Sequence, residues 1–278
     1  MQVQSVAENL FFTTVRIDTQ SATGGNGSGT GFLYAHRISD DQHAIFVVTN
    51  KHVVNGMSAG SLTFHQKHQD LPRLGHGFRL DIQDWPNAWF GHPDPTIDIA
   101  IAPFVPMEAH IRKTAKVELF YRCVESTMLP TAEQFEQLDA IESVTFIGYP
   151  NGIWDKTNLI PVARRGTTAT PLAVDFEGTP RFVIDASVFG GSSGSPVFIF
   201  NQGMFTDKHG NTAVASRLLF VGVVAAVFFR TELNQIVSVP VPTAVAPMAQ
   251  QREMIDLGLV YKSRTVVETI EAFIKAHG

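Results

Sequence analysis

Short runs of apolar and β-branched residues recur along the chain, each closed by glycine, proline or a polar cluster. They fall at 11–17, 31–34, 44–49, 61–65, 97–104, 143–149, 181–186, 196–200, 218–229 and 235–239. Ten runs of this kind predict an all-β barrel or sandwich rather than alternating strands and helices. Helical periodicity is confined to two places. Residues 131–138 follow Pro130 and offer Thr131 as an N-cap. Residues 263–277 place Val266, Ile270, Phe273 and Ile274 on one face of a C-terminal helix. The stretch 66–95 shows neither period. With Trp85, Trp89 and Phe90 set among four prolines, it predicts a surface loop anchored by its tryptophans, with substrate contact as the alternative.

Composition narrows the class. The chain has 278 residues, 44% hydrophobic and 17% charged, enough for a folded core. A net charge of −5 without a Lys/Arg cluster argues against a nucleic-acid surface. Cys123 is the only cysteine, so no intrachain disulfide can form, which fits a reducing compartment. The first residues lack a basic region, and the apolar run 218–229 is shorter than a membrane span. The reading is a soluble, cytoplasmic protein with no membrane partner. His65, His68 and His76 lack metal-ligand spacing, so no metal is expected. The glycine run 24–31 lacks the Gly-Lys-Ser/Thr ending of a phosphate loop and reads as a strand-entry turn, so no cofactor is expected. Cys123 reads as a small buried residue. Arg164 and Arg165 read as surface residues, with a part in loop ordering kept open.

The stretch 190–198, Gly-Gly-Ser-Ser-Gly-Ser-Pro-Val-Phe, carries the chemistry. Gly191 and Gly194 bracket Ser193 and allow dihedrals closed to residues with a Cβ. Such a turn can expose one hydroxyl above a strand and aim successive backbone N–H groups at one point, as a developing oxyanion needs. Taken alone it could equally be a Gly/Ser surface loop. His52 follows the β-rich run 44–49, and Asp98 sits inside the alternation 96–101. The order histidine, aspartate, serine differs from that of subtilisin and of the α/β-hydrolases.

In this order and context the chain resembles the trypsin-like, chymotrypsin-fold serine peptidases, and among them the HtrA/Deg type. The resemblance runs from about residue 11 to residue 230. Gly27-Ser-Gly-Thr-Gly-Phe32, Ile147-Gly-Tyr-Pro-Asn-Gly152, the lead 185–193 into the serine, and Val221-Gly-Val-Val-Ala225 are similar to segments of that family. It implies two packed six-stranded antiparallel barrels with a C-terminal helix, in a single peptidase domain spanning 1–278. His52 and Asp98 fall in an N-terminal barrel, about 11–125. Ser193 falls in a C-terminal barrel, about 140–240, and the helix covers about 263–277. No PDZ domain is expected after the barrels, a departure from most HtrA proteins.

The resemblance further implies that Ser193 attacks a peptide carbonyl, with His52 as general base and acid and Asp98 orienting it. The N–H groups of Gly191 and Ser193 would form the oxyanion hole. Ser187, six residues before the nucleophile, would floor the primary pocket beside Val223, Val224 and Ala225. That uncharged lining predicts cleavage of protein or peptide substrates after small or medium apolar residues. Family zymogens carry an aspartate directly before the nucleophile that pairs with a newly cut N-terminus. Here that residue is Ser192, so N-terminal cleavage is not the expected switch, and ordering by an activating partner or by substrate is. The rival readings are a catalytically silent binding or scaffold protein on the same fold and an esterase using the same triad.

Overall fold

The N-terminal half is built on one long strand that serves two cores. The structure, a computed structural model, describes residues 1–151, 153–235 and 248–277. Helix α1 (Val6–Leu10) opens it with a capping box between Ser5 and Glu8. Nine strands follow: β1 (Thr14–Gln20), β2 (Asn26–Arg37), β3 (His43–Thr49), β4 (Ala59–His68), β5 (Leu71–Ile82), β6 (Phe90–Gly91), β7 (Ala100–Pro103), β8 (Leu119–Phe120) and β9 (Val124–Glu125). They form one sheet in the order β5-β4-β1-β2-β3-β7-β6, with β8 on β4 and β9 parallel to β2. Helix α2 (Lys51–Val54) leaves the end of β3, and α3 (Phe104–Thr114) leaves the end of β7.

The C-terminal half closes into the expected six-stranded barrel, β10-β11-β12-β17-β16-β13. Its strands are β10 (Ser143–Gly148), β11 (Val162–Thr168), β12 (Arg181–Asp185), β13 (Pro196–Asn201), β16 (Arg217–Gln235) and β17 (Met248–Lys262). A small hairpin, β14 (Phe205–Thr206) with β15 (Thr212–Ala213), lies between β13 and β16. Helix α4 (Ala132–Gln137) precedes the barrel, capped by Thr131 as predicted, and α5 (Arg264–His277) follows it. No helix among the described residues is long and apolar enough to cross a membrane.

Side-chain alternation explains why several strands read as unbroken apolar runs. On β16, Leu219, Val221 and Val224 enter the barrel core, whereas Phe220, Val223 and Ala225 enter a second cluster shared with the N-terminal sheet. Phe32, Tyr34, Phe46 and Val48 meet them there, and Leu33 and Val47 point into a third, purely N-terminal core. A strand buried on both faces has no polar positions to alternate with. The shared cluster also receives Val266 and Ile270 of α5. Phe273 reaches past the barrel to Phe46 and Phe90, with ring centroids 5.5 Å away in each case. The helix therefore staples the two halves rather than resting on the barrel alone.

Two sequence expectations change, and a third falls mostly outside the described residues. The stretch 66–95 is largely a hairpin, since β4 runs to His68 and β5 occupies Leu71–Ile82. Its turn residues Gln69 and Asp70 both take positive φ, the geometry that matches the twist of two paired strands. The tryptophan anchor is real: Trp85 is fully buried and donates Nε1–H to the Val54 carbonyl at 3.0 Å, fixing the end of α2. Secondly, the run 97–104 is a strand only over Ala100–Pro103, and Phe104 begins a helix. Thirdly, the run 235–239 is described only at Gln235, the last described residue of β16. Residues 236–239 lie outside the described residues, as does Gly152 of the 147–152 motif.

Candidate active site

His52 stands at the second position of α2, one turn beyond β3. Asp98 lies in the loop just before β7 rather than inside a strand. Its neighbours Ile97 and Ile99 are both buried in the shared cluster, and extended backbone between two inward isoleucines turns the carboxylate the other way. The two side chains meet. His52 Nδ1 lies 2.5 Å from Asp98 Oδ2, and the His52 backbone N–H donates to Oδ1 at 2.9 Å. Donation from Nδ1 to the carboxylate leaves Nε2 as the lone-pair nitrogen. The imidazole is 49% exposed and the carboxylate 26%, so the free nitrogen can meet a substrate while the carboxylate is largely covered.

The aspartate loop is held by groups outside the triad. Asn50, buried at the N-cap of α2, donates its side-chain N–H to the Asp98 carbonyl at 2.7 Å. Tyr261 of β17 donates its hydroxyl to the Thr96 carbonyl at 2.8 Å, and Lys51 Nζ donates to the Asp94 carbonyl at 2.8 Å. Asn50 stands only two residues before His52, so proximity was its sequence signal. Tyr261 is 165 residues from its partner and offered none.

Ser193 stands in the turn that enters β13. Gly191 (φ +85°) and Gly194 (φ +88°) both occupy the left-handed region. A Cβ on Gly194 would fall 1.8 Å from the Thr30 carbonyl oxygen, and one on Gly191 2.6 Å from that of Tyr149. Neither position accepts a side chain. Thr30, buried on β2, stitches this turn to the N-terminal sheet. Its N–H donates to Ser193 O at 2.9 Å and its hydroxyl to Gly191 O at 2.9 Å. Thr49, three residues before His52, donates its hydroxyl to the Thr30 carbonyl at 2.8 Å. The histidine helix and the serine turn thus share one anchor. Thr30 was visible in the Gly-Ser-Gly-Thr-Gly motif, yet no sequence argument singled it out.

The backbone N–H groups of Gly191 and Ser193 have no hydrogen-bond partner among the described residues, whereas those of Ser192, Gly194 and Ser195 are all paired. Two unpaired donors thus flank a serine. The Ser193 hydroxyl donates to the Ala225 carbonyl at 3.2 Å. Ala225 is the bulged residue of β16, where the register slips between Val224 and Ala226, and a bulge releases a carbonyl from its ladder. No hydrogen bond joins Ser193 to His52 among the described residues.

The predicted pocket residues are not brought together as a lining. Val223 and Val224 are fully buried, one in the shared cluster and the other in the barrel core. A side chain without accessible surface cannot line an open pocket. Ala225 is also buried, and it contributes its carbonyl. Ser187 is exposed, and its carbonyl accepts a hydrogen bond from Arg164. The surface of β16 beside Ser193 begins one residue later, at Ala226, Val227 and Phe228. Arg164 is the other correction: it is a half-buried residue of β11, whereas Arg165 beside it is exposed. Strand alternation sends the first inward and the second out.

Other chemistry-bearing residues stand apart. His65 is buried with its ring 5.1 Å from that of Phe12, and burial pulls its imidazole below the usual range. Cys123 is half-buried, with its thiol pushed up to about 12 chiefly by desolvation. No group of three or more His, Cys, Asp or Glu among the described residues is arranged to hold a metal ion.

Among curated proteins no match is found. Among solved structures the chain is similar to the Rv3671c protease of M. tuberculosis in its active form. The identity is 18%, over 96% of this chain and 82% of that one, with a TM-score of 0.45. It is also similar to HL collagenase, at 13% identity over 79% of this chain and 83% of that one, with a TM-score of 0.42. The family model of the trypsin-like peptidase domain matches residues 29–205, well over half of the sequence, and the chain therefore belongs to the trypsin-like peptidases, serine-type endopeptidases.

Proposed function

We propose that the protein cleaves peptide bonds through an acyl-enzyme on Ser193, with His52 as base and then acid and Asp98 as its orienter. The observation that carries this reading is the 2.5 Å contact between His52 Nδ1 and Asp98 Oδ2, on a helix anchored through Thr49 and Thr30 to the serine turn. In the reaction the Ser193 hydroxyl turns from Ala225 toward His52 Nε2. Its oxygen bonds to the carbonyl carbon while its proton passes to Nε2, and the carbonyl electrons move onto oxygen. The N–H groups of Gly191 and Ser193 hold that oxyanion. Collapse breaks the C–N bond, and the leaving amine takes the proton from His52. Water then repeats the sequence on the ester, giving up its proton to His52, and Ser193 is restored.

Substrate would bind as an added strand. Beyond Val224, whose N–H and carbonyl pair with Ser195 and Gly194, the side of β16 that faces β13 has no partner strand among the described residues. An extended peptide beside Ala226–Phe228 would satisfy that edge. The surface of β16 beside Ser193, Ala226, Val227 and Phe228, is apolar, which supports a preference for small or medium apolar residues before the scissile bond.

The test is turnover and fluorophosphonate labelling of wild type and Ser193→Ala, with a peptide panel varied at the residue before the cut. Labelling and cleavage should both vanish in the variant, a loss of about 10⁶ in rate. Folded wild type that neither labels nor cleaves would favour the scaffold reading. Turnover of esters alone would favour the esterase, and a panel led by arginine would overturn the apolar preference.

A further inference from the structure

Behind the serine turn lies a cation whose position no motif explains. Arg164, on β11, donates Nη2–H to the Ser192 hydroxyl at 2.5 Å and Nη1–H to the Ser187 carbonyl. Ser192 is fully buried. The guanidinium also lies between two rings, 5.1 Å from the centroids of both Phe146 and Phe189. Its Nε is buried without a partner, and no carboxylate pairs with it among the described residues. Burial of a charge without a counter-ion is costly, so a half-buried guanidinium spent on a hydroxyl and a carbonyl suggests a task other than stability.

We propose that Arg164 is a positioning residue that locks the segment 187–193 with the Gly191 and Ser193 N–H groups turned outward, so that the oxyanion site is organised within the chain itself. This deepens the peptidase reading and rests on it. The planar fork suits the task, because two donors fixed in one plane bind two ends of the same segment. Ser187 opens the segment, and Ser192 immediately precedes the nucleophile. Phe189, stacked on the guanidinium, lies between them, and its carbonyl accepts the Ser192 N–H at 3.0 Å. With both ends held, Gly191 keeps its positive φ and the two flanking N–H groups stay free. Without the fork, the segment can rotate a peptide unit and spend those donors on its own carbonyls. Arg164 thereby acts through Ser192 and touches no reacting atom. Neither a cut N-terminus nor a partner is needed to order the loop.

The experiment compares wild type with Arg164→Ala, Arg164→Lys and Ser192→Ala. It reads kcat and KM on one peptide substrate, the thermal midpoint, and rescue by millimolar guanidinium. Loss of organised oxyanion donors should lower kcat of Arg164→Ala by about 10²–10³ with KM within a few-fold. Lysine should restore only part of it, since a single ammonium cannot span both acceptors. Added guanidinium should raise kcat of Arg164→Ala and leave wild type unchanged. Ser192→Ala, which keeps the cation and removes one acceptor, should lose kcat in the same direction, and it decides the matter if Arg164→Ala does not fold. Wild-type kcat in folded Arg164→Ala, or in Ser192→Ala, overturns the proposal while leaving the peptidase reading intact. A wild type that neither cleaves nor labels overturns both.

Discussion

The two halves of the molecule hold their shares of the site by different means. On the N-terminal side, His52 and Asp98 are fixed by hydrogen bonds from the side chains of Asn50, Lys51 and His52 and from the His52 backbone N–H, joined by the Tyr261 hydroxyl from β17. On the C-terminal side, the serine turn is fixed by backbone geometry, with two glycines at positive φ and carbonyls received by Thr30 and Asn151, and by the Arg164 side chain behind it. The difference suggests that side-chain chemistry should govern reactivity in the first half, and that in the second it should be governed by space around the turn together with the hold of Arg164 from behind. Asp98 could lose its charge without disturbing the fold, whereas Gly194 could not gain a methyl group.

The largest effect separating the two sides should come from Gly194→Ala. Its Cβ would collide with the Thr30 carbonyl at 1.8 Å, on backbone at φ +88°. Turnover should disappear and stability fall by at least about 3 kcal/mol in denaturant unfolding. A stable, active variant would show that the turn is not confined by space. Asp98→Asn should be the milder counterpart. The amide is nearly isosteric but can present N–H to His52, favouring the wrong tautomer. kcat should fall by about 10⁴ while the unfolding midpoint stays close to wild type. A loss of stability as large as that of Gly194→Ala would erase the contrast between the halves.

The same contrast decides what could be read without coordinates. Residues that bear reactive groups announce themselves: His52 after a β-rich run, Asp98 between two isoleucines, Ser193 between glycines. The strands buried on two cores were equally legible, because Val197–Ile199 and Leu219–Val224 leave no polar gaps. Others were masked by exposure. Strand β11, Val-Ala-Arg-Arg-Gly-Thr-Thr, is mostly partly exposed or exposed and reads as a polar loop. That concealed the inward turn of Arg164. Strand β5 is similarly open to solvent along most of its length. Helix α3 begins after Pro103 with no side-chain cap, so it carried no start signal, and Pro106 in its first turn argued against it although that turn tolerates proline. The serine turn's anchor, Thr30, depends on contacts 161 residues apart, which no local pattern encodes.

Everything proposed here requires one groove shared by groups from both halves, and trapping the serine with a fluorophosphonate tests that most directly. A crystal structure of the adduct should show phosphorus on Ser193 Oγ, with the phosphonyl oxygen about 3 Å from the backbone nitrogens of both Gly191 and Ser193. Phosphorus on any other residue, or a phosphonyl oxygen turned away from both nitrogens, would contradict the account.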